Sequence, residues 1–285
     1  MQSLASYLRR TASNYLSPLA ARAARAYIAG PELEDALRVS QQLAARGFTA
    51  TLGFWDGPDD TPRGVADYYL AALDAIEASR LDAYLSIKLP GLRGSQTLVD
   101  EVLARAREHR IQIHFDSHGP ETADEAWQAI VRASADRELA LSVSVPGRWR
   151  RSLDDAEAAI AYGVAVRVVK GQWPDSEYPD LDMREGFLSV IDRLAGRARH
   201  VAVASHDAPL AAESVRRLRA ANTSNELELL YGLPERRSLR QVEQDRTPVR
   251  FYVPYGKAYL PYALGQARRN PRLIWWMLRD TVLRR

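Results

Sequence analysis

Short β-branched runs alternate with helical stretches along this chain, and the alternation predicts an α/β fold of the (β/α)₈ TIM-type barrel class with N-terminal helices. Three observations carry that expectation. Strand–helix units recur eight times within about 240 residues, close to the ~250 typical of such a barrel. After the first strand the chain reads Gly53-Phe54-Trp55-Asp56-Gly57-Pro58-Asp59-Asp60, which lacks the glycine spacing of a doubly wound, nucleotide-binding sheet. Apolar residues make up 46% of the 285, ample for one large core, and no low-complexity linker divides the chain.

Residues 1–45 read as an N-terminal helical segment, with Arg9, Arg10, Arg22 and Arg25 set among Leu, Ala and Tyr; residues 46–285 read as the barrel. Runs rich in β-branched, aromatic and apolar residues predict strands over 48–54, 83–89, 111–117, 138–145, 165–171, 200–206, 226–232 and 250–256. Between them, 64–79, 97–109, 122–135, 153–162, 183–195 and 210–221 read as helices. Ser152 before Leu153-Asp154-Asp155, and Asp207 before Ala208-Pro209, supply helix starts through a side-chain cap or an early proline. The last strand carries Phe251, Tyr252 and Tyr255 and turns at Pro254-Tyr255-Gly256 into a final helix, which reaches Arg268-Arg269 before Asn270-Pro271.

Composition excludes several classes. The net charge of +3 comes from 39 basic and 36 acidic residues, so no nucleic-acid partner is expected. The absence of cysteine rules out disulfides and thiolate metal sites. No apolar run approaches the roughly 20 residues that cross a bilayer, and the N-terminus lacks the apolar core of a signal peptide, so a cytoplasmic location is the default expectation. The basic, aromatic stretch at 274–285 has three readings: a helix closing the barrel, a dimer face, or a peripheral membrane contact. Oligomeric state is left open.

In this fold, catalytic groups sit at the C-terminal ends of the strands. The polar residues there are Lys88, His114, Asp116, Ser142, Ser144, Arg167, Lys170, Ser205, His206, Asp207, Glu228, Tyr252 and Tyr255, enough to line a polar pocket. Ser205-His206-Asp207 invites a hydrolase reading, but neighbouring residues point to opposite sides of a strand and cannot form a triad. No Gly-x-Ser-x-Gly elbow occurs either. His114, Asp116 and His118 fall on one face if their strand continues that far, which gives a metal-dependent barrel hydrolase or aldolase as the alternative function.

Read in order, the later strand ends resemble one family. Arg167-Val168-Val169-Lys170-Gly171-Gln172-Trp173-Pro174-Asp175 follows the motif Arg-Leu-Val-Lys-Gly-Ala-Tyr-Trp-Asp, and Ser205-His206-Asp207 follows Thr-His-Asn. Glu226-Leu227-Glu228-Leu229-Leu230-Tyr231-Gly232 follows Glu-Phe-Gln-Met-Leu-Tyr-Gly. Phe251-Tyr252-Val253-Pro254-Tyr255-Gly256 follows Val-Tyr-Val-Pro-Tyr-Gly, and Ser86-Ile87-Lys88-Leu89 follows Ser-Val-Lys-Leu. Together these stretches resemble the flavin-dependent proline dehydrogenases, as a divergent member. The resemblance implies FAD as cofactor. It also implies oxidation of proline, or a proline-like cyclic secondary amine, to the imine by hydride transfer to flavin N5. The electrons then pass to a quinone or other acceptor. No metal is expected on this reading, and a catalytically silent barrel is the third class.

The same resemblance assigns roles. Arg167 matches the cation beside flavin N5, where it stabilises the charge that reduction places on the ring. Lys170 and Gly171 match a second flavin-binding stretch, and Ser205, His206 and Asp207 match positions along the flavin and its phosphoribityl chain. Glu228 stands where the family has Gln and completes the expected cofactor-binding set. Lys88 matches the lysine that pairs with the substrate carboxylate, Tyr252 the tyrosine packed on the substrate ring, and Leu230 an apolar wall. Arg167, Lys88 and Tyr252 form the expected catalytic set, with His114 and Trp173 beside them in the substrate pocket.

Departures gather in the substrate half. The family's Trp-Tyr-Pro-Tyr-x-x-Arg-Arg falls on Tyr259-Leu260-Pro261-Tyr262-Ala263-Leu264-Gly265-Gln266, so the carboxylate clamp becomes Gly265-Gln266. Arg268 and Arg269 lie three positions later, about 4.5 Å along a helix. A shifted register returns them to the pocket, a deeper seat lets them grip a different anion, or they are surface charges at a helix end. Tyr262, Gln266, Arg268 and Arg269 therefore complete the expected substrate contacts. The pattern points to a changed substrate, either an amine without the α-carboxylate or a modified proline.

Overall fold

The structure, a computed structural model, describes residues 29–256 except 137, 244 and 245. Strands β1 (Thr49–Phe54), β2 (Ala83–Ile87), β3 (Ile113–Phe115), β4 (Leu141–Pro146), β5 (Ala165–Val169), β6 (Val201–Ala204), β7 (Asn225–Leu230) and β8 (Val249–Tyr255) pair in parallel. They form a closed barrel in sequence order. The closing register pairs Thr51 with Tyr252 and Gly53 with Pro254. Helices α1 (Leu33–Ala44), α2 (Pro62–Ser79), α3 (Gln96–His109), α4 (Ala123–Ala133), α5 (Ser152–Tyr162), α6 (Met183–Leu194), α7 (Ala208–Ala220) and α8 (Arg236–Glu243) are the α-helices among the described residues.

Local chemistry sets where the helices begin. Thr61 accepts the Gly64 N–H at 3.1 Å, with Pro62 in the first turn of α2. Asp182 accepts the Arg184 and Glu185 N–H groups at 2.8 Å to start α6. Asp207 accepts the Leu210 N–H at 3.2 Å to start α7, as its sequence predicts. Ser152 differs: it is the first residue of α5, Arg151 occupies the cap position, and the serine hydroxyl donates back to the Pro146 carbonyl. The hydroxyl ties the helix to the end of β4 instead of capping it.

The first 28 residues of the N-terminal segment lie outside the described residues, as does everything after Gly256. Within the described part, α1 packs on β1 and β8. It buries Ala36, Val39 and Leu43 in the same core as the barrel. Just before it, Gly30 bridges to Tyr255, and Gly256 donates to the Gly30 carbonyl at 3.2 Å.

The large apolar core lies outside the sheet. Leu52, Leu85, Ile113, Val143, Val168, Val203, Leu229 and Val253 face the helices and are at most 4% exposed. Alternation turns their neighbours inward, and those neighbours are polar: Thr51, Tyr84, Ser86, His114, Ser142, Ser144, Arg167, Glu226 and Glu228. The barrel is thus filled by a charged and hydrogen-bonded column rather than by the layers of branched apolar side chains usual in this fold.

The β4–α5 turn meets α6 at a glycine pair. A methyl group built on Gly186 would stand 1.8 Å from the Gly147 carbonyl oxygen, a backbone atom that cannot step aside. Gly186→Ala is expected to lower stability by at least about 1–3 kcal/mol, as overpacking does. Thermal denaturation followed by circular dichroism checks this, and an unchanged midpoint would refute the close approach.

Candidate active site

An ion pair stands at the centre of the interior. The Arg167 side chain reaches from β5 across β6, and its Nε donates to Glu228 Oε2 on β7 at 2.7 Å. Glu228 also accepts from Thr51 at 3.1 Å, and the Tyr84 hydroxyl approaches it at 3.4 Å. Arg167 is 4% exposed and Glu228 3%. Burial lowers the arginine's proton affinity, but Glu228, Tyr84 and Asp116 outweigh it, so the guanidinium stays charged. Burial raises the Glu228 carboxyl, and Arg167 works against that rise. Below this pair, Arg250 donates to Glu226 at 2.9 Å and lies over the Tyr84 ring at 4.4 Å. The Glu226 carboxyl is held below the usual range because His200 and Arg250 together outweigh its burial.

Toward the C-terminal mouth, Lys88, Asp116 and Tyr252 meet. Lys88 Nζ donates to the Phe54 carbonyl at 2.8 Å and to the Tyr252 hydroxyl at 3.3 Å. Its backbone N–H is held by the Tyr69 hydroxyl at 2.9 Å. Among the described residues it makes no ion pair, although it is only 9% exposed. The Tyr252 hydroxyl donates to Asp116 Oδ2 at 3.4 Å and accepts from Trp55 Nε1 at 3.4 Å. Arg167 Nη1 stands 3.9 Å from Asp116 Oδ1, and its guanidinium carbon lies 5.2 Å from the Tyr252 ring centre. Burial pushes the Tyr252 phenol up, so it remains protonated. Gly53 makes room for that phenol, since a methyl group there would stand 2.1 Å from the hydroxyl.

A second cluster occupies the rim over β5 and β6. Lys170 and Arg184 both approach Asp207 Oδ2 at 3.1 Å. Burial raises the Asp207 carboxyl, but the Leu210 N–H, Lys170 and Arg184 overcome this and hold it below the usual carboxylate range. The Ser205 hydroxyl accepts the Asp207 N–H at 3.1 Å. His206 accepts the Leu230 N–H on Nε2 at 2.9 Å, which leaves Nδ1 to donate to the Pro234 carbonyl at 3.1 Å. The histidine is therefore a neutral clamp between the ends of β6 and β7, and burial lowers its pKa. Gly171 adopts φ +89°, and a side chain there would collide with Pro146 and Arg148.

The structure thus brings together Arg167, Lys88, Tyr252 and Glu228. Leu230 pairs with Tyr252 in the β7–β8 register and shares its face. Lys170, Ser205, His206 and Asp207 gather beside β6. Trp173 stands apart, 40% exposed on the loop after β5, with its carbonyl held by Trp149 Nε1 at 2.8 Å.

His114 corrects an expectation. It is 0% exposed, and its ring nitrogens meet the Ser142 and Ser144 hydroxyls at 2.8 and 2.9 Å, so it does not face a substrate. β3 ends at Phe115, before the position that would carry His118 onto the same face. Among the described residues no group of three or more His, Asp or Glu side chains could hold a metal ion. Tyr262, Gln266, Arg268 and Arg269 lie outside the described residues.

Sequence reasoning passed over Thr51, Tyr84 and Arg184. The signal for Tyr84 was present, since it alternates with Ser86 and Lys88 on one strand. The partnership of Arg184 with Asp207 depends on how α6 docks and leaves no local mark.

No family model matches the chain. A proline dehydrogenase 1 of Bacillus subtilis subsp. natto is 26% identical over 271 residues, covering 87% of this chain and 87% of that protein. A proline dehydrogenase of Deinococcus radiodurans is 24% identical over 273 residues, covering 87% of this chain and 86% of its own. The chain is thus similar to proline dehydrogenases over most of its length. Among solved structures, proline utilization A from Bdellovibrio bacteriovorus, inactivated by N-propargylglycine, matches with a TM-score of 0.71 at 14% identity over 85% of this chain. The same protein from Corynebacterium freiburgense gives 0.70 at 17% identity over 96%. This chain spans 32% and 34% of those longer proteins, and the likeness is one of fold.

The interior pair and the neutral histidines generate two predictions. Glu228→Ala leaves the Arg167 cation buried without its partner and is expected to cost about 3–5 kcal/mol of stability in denaturant titration. His114 and His206 have folded pKa values below the usual 6.5. A lowered value means that stability is complete above 6.5 and is lost as pH falls from there toward the folded values. The denaturation midpoint is thus expected to drop between pH 7.5 and 5.5, and to drop less in a His206→Gln variant.

Proposed function

We propose that this chain oxidises proline, or a close proline-like amino acid, to the cyclic imine, with FAD as hydride acceptor and a quinone or other acceptor downstream. The observation that carries the reading is the placement of opposite charges about Tyr252. Lys88 lies 3.3 Å from its hydroxyl and Asp116 3.4 Å, and Arg167 stands 5.2 Å from its ring centre. An amino-acid zwitterion matches this pair. Lys88, a buried cation with no carboxylate partner among the described residues, takes the substrate carboxylate, and Asp116 takes the nitrogen. The Tyr252 ring supplies an apolar surface for the methylenes, and Leu230 continues it.

The donor set fits the flavin. Arg167 is a fixed, buried cation within β5, suited to an electron-accepting ring, and Lys170 with Arg184 offers cations at the rim for a pyrophosphate. When bound, the flavin supplies a two-electron acceptor for a hydride. The chain's own residues do the rest: they orient the substrate, keep Tyr252 protonated, and stabilise negative charge through Arg167. Ser205, His206 and Gly171 act as frame, because their polar atoms or backbone conformation are already committed to the loops they join.

The test is an anaerobic visible spectrum of the purified protein reconstituted with FAD, recorded before and after L-proline, pyrrolidine and a prolyl ester. L-proline is expected to bleach the flavin faster than the two probes without a carboxylate. Lys88→Met should remove most of that advantage, and Arg167→Met should slow reduction by all three. Failure to bind FAD, or to be bleached by any of these amines, would overturn the reading.

A further inference from the structure

A line of polar groups behind Asp116 is unexplained by the roles above. Gln112, Ser142, His114, Ser144 and Asp116 stand in line along β3 and β4. The Ser144 hydroxyl donates to Asp116 Oδ1 at 3.1 Å, so its oxygen must accept from His114 Nε2, 2.9 Å away. His114 therefore carries its proton on Nε2 and accepts on Nδ1. Among the described residues the donor there is the Ser142 hydroxyl at 2.8 Å, whose oxygen in turn accepts from Gln112 Nε2 at 3.0 Å. Each hydroxyl donates once and accepts once. Every donor in the chain points toward Asp116.

A line of donors with one polarity has a definite effect on the carboxylate at its end. It anchors Oδ1 in one place. It also fixes the plane of the carboxyl group, whose backbone N–H is held by the Ile87 carbonyl at 3.0 Å. Oδ2 is left turned toward the Tyr252 hydroxyl, in the pocket. His114 has to be neutral for this, and burial together with Arg167 and Lys88 keeps it so.

We propose that Asp116 Oδ2 is the catalytic base that takes the proton from the substrate's ammonium, and that His114, Ser142 and Ser144 are positioning residues that hold Asp116 oriented for it. This rests on the amine-oxidising function proposed above. The step balances simply: one N–H bond of the ammonium breaks, an O–H bond forms on Asp116, and the freed lone pair on nitrogen makes the neighbouring carbon a hydride donor to the flavin. An ammonium has no lone pair and cannot form the imine, so the proton must leave first.

The other titratable groups around the pocket do not serve. Lys88 spends Nζ on the Phe54 carbonyl and Tyr252. Tyr252 is a protonated phenol, and Arg167 is a cation. His118 stands beyond the end of β3; burial lowers its pKa, while Asp116, Asp56 and Glu121 push it back. It is a rival base among the described residues, and the experiment includes it.

Anaerobic stopped-flow reduction of the FAD-reconstituted protein by L-proline, followed across pH, tests the assignment. Asp116→Asn should bind FAD as wild type does. At neutral pH it should be reduced about a hundred-fold or more slowly. Its rate should climb roughly tenfold per pH unit toward the amine's own pKa, because only free amine then reacts. Ser144→Ala leaves Oδ1 unanchored and should lower the reduction rate several-fold with FAD binding unchanged, and Ser144→Thr, which keeps the hydroxyl, should restore it, a rescue that a purely structural role would not produce. His118→Gln should leave the profile in place. An Asp116→Asn profile parallel to wild type, or loss of the pH dependence in His118→Gln, would overturn the proposal. Wild-type protein that holds no FAD, or whose bound FAD is not reduced by any cyclic amine, would overturn the underlying function and this step with it.

Discussion

A guanidinium inside the barrel constrains much of what surrounds it. Moving Arg167 out of water costs several kcal/mol after relaxation, and that cost is offset only where the partners are close and well oriented. Glu228 supplies the charge at 2.7 Å. Thr51 and Tyr84 then satisfy the carboxylate on its remaining sides. One level down, Arg250 and Glu226 repeat the arrangement, with Tyr84 between the levels. Ionic residues at the centre leave no room there for an apolar core. The core is displaced to the sheet–helix layer, where outward strand residues meet the amphipathic faces of the helices.

The same alternation that turns Arg167 inward places the two ends of the site. Lys88 follows Tyr84 and Ser86 at steps of two on β2, and Asp116 follows His114 beyond β3, so each column of inward residues ends at the mouth with an ionisable group. The rim over β6 obeys different physics. Its groups come from loops and helix starts, and Asp207 both caps α7 and anchors Lys170 and Arg184. A rigid pocket and a looser cationic rim therefore share one end of the barrel.

Sequence legibility follows from which forces are local. Strand periodicity is local, and all eight strands stand where it puts them, trimmed where the ladder gives way to a loop. The inward polar set was readable for the same reason, with Arg167, Glu228 and Tyr252 at its centre. Thr51 and Tyr84 escaped because either residue is ordinary in a strand, and only cross-barrel geometry gives it a charged partner. His114 was misread because alternation tells which side a residue faces and not how deep it lies. Two serines on β4, a strand away, close over its nitrogens. Ser152 shows the same limit, since its hydroxyl bonds to Pro146 rather than to its own helix.

Charge balance bears on what the pocket accepts. Among the described residues, the interior sets Lys88, Arg167 and Arg250 against Asp116, Glu226 and Glu228. A net ion entering this low-dielectric column would have to be neutralised at a cost that no nearby group offsets. A zwitterion brings both signs and leaves the sum unchanged, provided that each end meets its opposite. The distance from Lys88 to Asp116 is bridged by one phenol hydroxyl, which suits a small molecule with an acid and an amine on adjacent atoms. In the proposed reaction, transfer of the amine's proton to Asp116 converts an ion pair into two neutral groups while Lys88 keeps the carboxylate. The column loses no balance as the substrate becomes ready to react.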